Sequence, residues 1–201
     1  SMRGNAARLF RELKRQMPSL PETVRPIAQS VLAQEQGVLE VFGRLLKCRV
    51  DANLTRLHGD FHLGQVLNTG HDFVVIDFEG EPRLSLSERR MKRSALRDVA
   101  SMVRSFDYAA AAALQRMAAE ELAFLQPWAQ QWVAVVSQQY LNAYFATAGS
   151  AGFIPKDTGT TQTLLDLFLL DKAIYEIGYE LSYRPNLVGI PLAAVEALLQ
   201  R

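Results

Sequence analysis

Two carboxylates and one amide within a short stretch are the groups of this chain best placed to do chemistry. Leu54 to Pro82 reads LTRLHGDFHLGQVLNTGHDFVVIDFEGEP. Asp60 follows His58 and Gly59, Gln65 stands five positions later, and Asp77 closes the run Phe73-Val74-Val75-Ile76, with Glu79 beyond it. Phosphoryl transfer needs this set: one carboxylate to accept the proton of a hydroxyl, and a second carboxylate with an amide oxygen to hold magnesium against phosphates. In that chemistry Asp60 is the base and Gln65 and Asp77 are Mg2+ ligands. Glu79 is a ligand of a second metal ion or one that acts through water, and ATP is the co-substrate.

Convergence of these groups requires a turn between them. Asn68-Thr69-Gly70-His71-Asp72 separates Val66-Leu67 from Phe73 to Ile76. Turn residues between short apolar, β-branched runs predict a β-hairpin, which brings its outer ends together. Helical periodicity accounts for most of the remainder. Leu9, Phe10 and Leu13 predict a helix over Ala6 to Met17. Ser19-Leu20-Pro21-Glu22 reads as the start of a long helix to Lys47, with Cys48 to Asn53 as a polar link. Leu96 to Leu114 is the next helix. Pro127 suits the first position of an aromatic-rich helix reaching Gly149, whose rings are expected in the core. Gly149 to Thr161 is the longest loop signal, Thr163 opens another helix, and Pro191 to Arg201 is a short closing one.

Protein kinases place H-R-D, an amide five positions after that Asp, and D-F-G in the same order. Here the strings are His58-Gly59-Asp60, Gln65 and Asp77-Phe78-Glu79. H-G-D, an amide and I-D-F-E resemble the aminoglycoside phosphotransferase and choline-kinase-like superfamily. The longer strings HGDFHLGQVL, VIDFEGEP, LRDVASMVRSFDYAA and DKAIYEIGYELSYRP resemble bacterial maltokinases, which are often fused to trehalose synthase.

The resemblance implies a fold that is mainly α with a small β-hairpin: the C-terminal lobe of the protein-kinase-like (aminoglycoside phosphotransferase) fold. It implies one domain over 1–201, with a catalytic and metal-binding segment at 54–82 and a sugar-binding helix at 163–184. It also implies that Asp98 holds the backbone of the catalytic loop; ordinary charge stabilisation at a helix N-terminus is the other reading. No glycine-rich loop or V-A-I-K-like strand precedes residue 54, so a strand-rich N-lobe is expected to be missing from this chain.

Lys172, Tyr175 and Tyr179 share one helix face, with Glu180 and Arg184 beyond them. Rings that stack on a pyranose and charges that bond its hydroxyls suit a sugar site. The maltokinase resemblance puts maltose, or a similar small sugar, against these five residues. Surface ion pairs Glu176–Lys172 and Glu180–Arg184 are the alternative that the residues alone favour.

The composition bounds the rest. The chain has 201 residues, is 49% hydrophobic, and carries 22 basic against 21 acidic residues for a net charge of +1. That is a globular composition with no global field to recruit nucleic acid or a membrane surface. A single cysteine excludes a disulfide framework and fits the cytoplasm. The charged segment Arg83 to Arg93 reads as a loop near phosphates or as a solvated connector.

His58 and His62 have the i, i+4 spacing of a zinc pair, but Gly59 and the strand that follows argue against a helix there. His58 is better read as a residue that fixes the loop. The expected activity is transfer of the ATP γ-phosphate to maltose, giving maltose 1-phosphate, by a parent protein that carries an N-lobe and can carry a trehalose synthase domain in cis. A kinase of the same fold acting on an aminoglycoside or choline is the alternative, although Lys172 and Arg184 fit those cations poorly. A non-catalytic kinase-like module of a fusion protein is the other.

Overall fold

The computed structural model describes residues 1–45 and 49–200. Its described residues divide into two compact units, one within 1–49 and 166–201, the other spanning Val50–Leu165. The end of the helix expected to reach Lys47, and Cys48, fall outside the described residues.

The first unit is helical. Helix α1, Met2–Gln16, buries Ala6, Leu9, Phe10 and Leu13. These lie at i, i+3, i+4 and i+7, a single stripe. The long helix expected from Ser19 is broken. A 3₁₀ turn at Met17–Ser19 ends in an extended Leu20, because the residue before Pro21 is disfavoured in the helical region. Helix α2 starts only at Arg25, with Pro26 in its first turn, and runs Arg25–Ala33. The Arg25 guanidinium holds the bend by donating to the carbonyls of Leu20 and Pro18, each at 3.0 Å. The chain breaks again at Gln34 before α3, Glu35–Leu45.

Helix α7, Thr158–Tyr183, contributes its Asp166–Tyr183 portion to this unit. Leu167 to Leu170, Ala173, Ile174, Ile177 and Leu181 are buried there. Helix α8, Gly189–Leu199, packs on α2. The two are linked by a hydrogen bond from Ser30 to Glu196.

The second unit carries the hairpin. Strands β1, Val66–Asn68, and β2, Phe73–Val75, pair antiparallel with Val66 opposite Val75 and Asn68 opposite Phe73. Asn68 accepts from Gly70 N–H at 2.7 Å, and Gly70 takes the positive φ the turn requires. Helix α4, Leu86–Arg90, is a single short turn within the charged segment. Helix α5, Leu96–Leu114, has the expected bounds and packs along α6, Ala119–Ala148.

Helix α6 starts eight residues earlier than expected, with Pro127 inside it. The Glu121 carboxylate accepts from Ala118 N–H at 3.3 Å, and Ala, Glu and Leu carry the first two turns. That is enough to extend the helix ahead of the one bond that Pro127 forgoes. Nor are its rings core residues. Trp128 is 65% and Trp132 47% exposed, although Trp132 and Tyr140 meet the Phe106 ring edge-on.

The loop expected over Gly149 to Thr161 is also shorter, because α7 begins at Thr158. Asp157 caps it, its Oδ2 accepting from Thr160 N–H at 2.6 Å. The hydrogen bonds from Thr160, side chain first and then backbone, hold this carboxyl below its ordinary value. The stabilisation is therefore present above the unfolded value near 3.8 and is lost as pH falls through the lowered native value. Asp157→Ala is expected to melt earlier than the wild type at pH 7, and the gap should close well below pH 3.8. Thermal unfolding at both pH values checks this; a gap independent of pH would show the cap to be idle.

Candidate active site

The site is built on a loop and a hairpin, and helix α5 holds the loop from behind. Asp98, in its first turn, accepts from His58 N–H at 2.7 Å and from Gly59 N–H at 3.1 Å, one oxygen each. Two turns on, the Ser105 hydroxyl accepts from Leu63 N–H at 3.2 Å and donates to the Met102 carbonyl at 2.7 Å. Positions 98 and 105 lie on one face of a helix, so α5 holds both ends of the loop that carries Asp60. Ser105 carried no signal in the sequence. A serine in a helix interior is commonplace, and only its contact with Leu63 marks it.

Burial pushes the Asp98 carboxyl up, against the two backbone N–H groups that favour its charged form. Tyr140 and Tyr144 share with it a pocket of about 310 Å³ behind the loop. Burial raises both phenols above their ordinary value, Tyr140 strongly.

His58 ties the loop to the hairpin. Its Nε2–H donates to the Ile76 carbonyl at 2.8 Å, and its Nδ1 accepts loosely from Asp60 N–H at 3.4 Å. Both ring nitrogens are thus engaged by backbone, leaving no lone pair for a metal. Phe61 and Phe78 flank the ring at 5.4 and 5.0 Å.

Gly59 and Gly80, both at positive φ, let the two loops cross backbone to backbone. A Cβ on Gly59 would lie 3.4 Å from the Gly80 Cα, and one on Gly80 would lie 3.4 Å from the His58 carbonyl oxygen.

The hairpin then brings Gln65 to Asp77. Ile76 N–H donates to the Gln65 carbonyl at 3.0 Å, and the Gln65 side-chain amide donates to Asp77 Oδ2 at 3.0 Å. Asp77 has φ 61°, and it is the one non-glycine at positive φ among the described residues. Such strain persists only where surrounding structure imposes it, and it gathers at functional sites. Glu79 is exposed just beyond. Asp60 is part-buried, with its Oδ2 3.7 Å from His62 Nε2.

The donor set fits magnesium. Asp77 and Gln65 offer hard oxygen donors side by side at an exposed position, once the amide turns its oxygen outward. Magnesium takes one or two such groups and completes its shell with phosphates and water. Among the described residues no three His, Cys, Asp or Glu form a metal cluster.

Four of the five residues expected to bind sugar lie on α7 and Arg184 directly follows it, all in the first unit. Lys172 Nζ sits 5.0 Å from the centre of the Tyr175 ring, and the Arg184 guanidinium 5.2 Å from that of Tyr179. Glu180 is 1% exposed, and both its oxygens accept from Arg184, at 3.0 and 2.7 Å. That pair is one of the two ion pairs foreseen as the alternative to a sugar role.

The charged segment after Pro82 is more than a solvated connector. Arg89 within it donates to three backbone carbonyls. Among the described residues, no helix is long and apolar enough to cross a membrane.

No protein-family model matches this chain. The chain is 27% identical over 146 residues to the glucosamine kinase of Streptacidiphilus jiangxiensis, covering 73% of this chain and 32% of that protein. It is 31% identical over 144 residues to the glucosamine kinase of Mycolicibacterium smegmatis, covering 71% and 34%. The chain therefore spans about a third of the length of these curated relatives.

Among solved structures, a glucosamine kinase in complex with glucosamine, ADP and inorganic phosphate matches with a TM-score of 0.77 and 25% identity, over 96% of this chain and 43% of that one. Another crystal form of a glucosamine kinase gives 0.76 at 24% identity and shares the fold over 98% of this chain. The fold is that of a kinase-like C-terminal lobe, and the relatives support a kinase-like superfamily. They give no support to the maltokinase branch or to a trehalose synthase fusion.

Proposed function

We propose that this chain is the C-terminal lobe of an ATP-dependent sugar kinase whose acceptor is an amino sugar of the glucosamine type. One observation carries the chemistry. The hairpin sets the Gln65 amide against the Asp77 carboxylate at 3.0 Å, just past a loop that presents Asp60 and whose backbone Asp98 holds.

In this reading the acceptor hydroxyl donates its proton to Asp60 as its oxygen forms a bond to the γ-phosphorus. The bond from that phosphorus to the bridging oxygen breaks, and ADP leaves. Asp77 and Gln65, with Glu79 beside them, would hold magnesium, which offsets negative charge on the phosphates when bound. Lys172, Tyr175 and Tyr179 would face the sugar.

The acceptor follows from two considerations. The named relatives are glucosamine kinases. Arg184, just past α7, also counts less against a cationic substrate than the sequence implies, because Glu180 neutralises it. Maltose is the second reading, supported by the strings around Asp60, Asp77, Asp98 and Lys172.

The test is a phosphotransfer assay on the full-length gene product with ATP and Mg2+, offering glucosamine, maltose, glucose, trehalose, choline and kanamycin. Turnover on glucosamine well above the others is expected. Maltose as the preferred acceptor would replace the amino-sugar assignment. No transfer to any of them by a folded protein would sink the kinase reading.

A further inference from the structure

We infer that Arg89 is a positioning residue that braces the metal-holding loop; this rests on the sugar-kinase reading above. Its Nε donates to the Leu84 carbonyl at 2.9 Å, its Nη2 to Pro82 at 3.2 Å, and its Nη1 reaches the Glu79 carbonyl at 3.5 Å. One planar guanidinium thus gathers three carbonyls from a segment with no regular secondary structure. The stem of Arg89 lies against Gly80, where an added Cβ would be in van der Waals contact, 3.7 Å, with both its Cβ and its Cδ. Gly80 in turn crosses the backbone at His58 and Gly59, so the brace reaches the loop that carries Asp60.

Helix α4 supplies the anchor. At five residues it is too short to hold by itself. A reciprocal cap fixes it instead: Glu88 N–H donates to Ser85 Oγ at 3.4 Å, and Ser85 N–H donates to Glu88 Oε2 at 3.0 Å. The hydrogen bonds from Ser85 lower the Glu88 carboxyl, so it is charged when it caps.

The braced loop is largely exposed and buries little apolar area, so Arg89 contributes little to the core. What its fork sets is where Asp77 and Glu79 stand. Lysine keeps the charge but not the planar fork, and it can serve only one carbonyl well.

Arg89→Lys and Arg89→Ala in the full-length gene product separate these roles. Each is expected to raise the Mg2+ concentration needed for half-maximal turnover, and the KM for ATP, by about tenfold. That is the low end of what removing a partner of a metal ligand costs. The KM for the sugar should stay unchanged, and Tm should hold within about 2 °C. Hydrogen exchange over residues 77–84 should quicken in both variants.

Wild-type behaviour of Arg89→Lys, with Arg89→Ala impaired, would show that charge alone matters and overturn the brace. Equal rises in both KM values with a large fall in Tm would reduce Arg89 to scaffold and overturn it too. If the wild type phosphorylates no sugar, the sugar-kinase reading is what fails. Hydrogen exchange then decides: quickened exchange over 77–84 upholds the brace, and unchanged exchange overturns it.

Discussion

Asp60→Asn in the full-length gene product is expected to lower kcat by about three orders of magnitude, within the range a positioned general base contributes. Asparagine keeps the shape but accepts no proton from the sugar hydroxyl. The Asp60 backbone N–H remains on the His58 ring, so the loop should keep its course. Affinity for the sugar, read by calorimetry, should change little, since the lost interaction belongs to the transition state. Loss of sugar binding with turnover preserved would remove Asp60 from the chemistry and make it a binding group.

Asp98→Asn is expected to cost both stability and activity, without touching any reacting atom. Asp98 accepts two backbone N–H groups, one on each oxygen. Asparagine has a single acceptor oxygen, so its NH2 faces one of those N–H groups. Leaving one of these part-buried or exposed donors without its charged partner costs about 1 kcal/mol, a fall in Tm of roughly 2–4 °C for a chain of this length. Turnover should fall as the loop loses its tether, and it should fall further than the Tm alone explains when assayed well below melting.

The pH dependence gives a second readout. Burial holds the Asp98 carboxyl above its unfolded value of 3.8, so the native state keeps this proton to higher pH than the unfolded chain does. Its contribution therefore makes stability fall as pH rises from 3.8 through the raised native value. That slope should vanish in Asp98→Asn. An unchanged slope and Tm would show that the loop does not depend on this residue.

The hairpin, α1 and α5 were legible in the sequence because local signals decide them: turn residues between β-branched runs, and apolar stripes at helical spacing. Helix bounds failed where local chemistry competed. Pro21 did not open the helix expected there, because it holds Leu20 extended and α2 starts only at Arg25, while Pro127 did not start one because Ala, Glu and Leu ahead of it form helix readily. Asp157 was a cap that the glycine-rich stretch around it concealed. The α6 aromatics show the limit of composition: rings at helical spacing read as core, yet exposure is fixed by which partners reach that face.

By itself the sequence determined which functional groups this chain can offer. Asp60, Gln65 and Asp77 stand in an order and at a spacing that implies a loop, a hairpin and a second loop. The resemblance already assigned Asp98 to the loop, and only the tertiary structure decided what else holds them: Ser105 on α5, the Gly59–Gly80 crossing, and the three carbonyls on Arg89. The Ser105 contact and the glycine crossing join residues far apart in the chain, and the Arg89 fork closes a local loop, through a hydroxyl and a guanidinium that could each have faced water. Side-chain type fixes what a group can bond, and only the fold fixes which partner comes within reach.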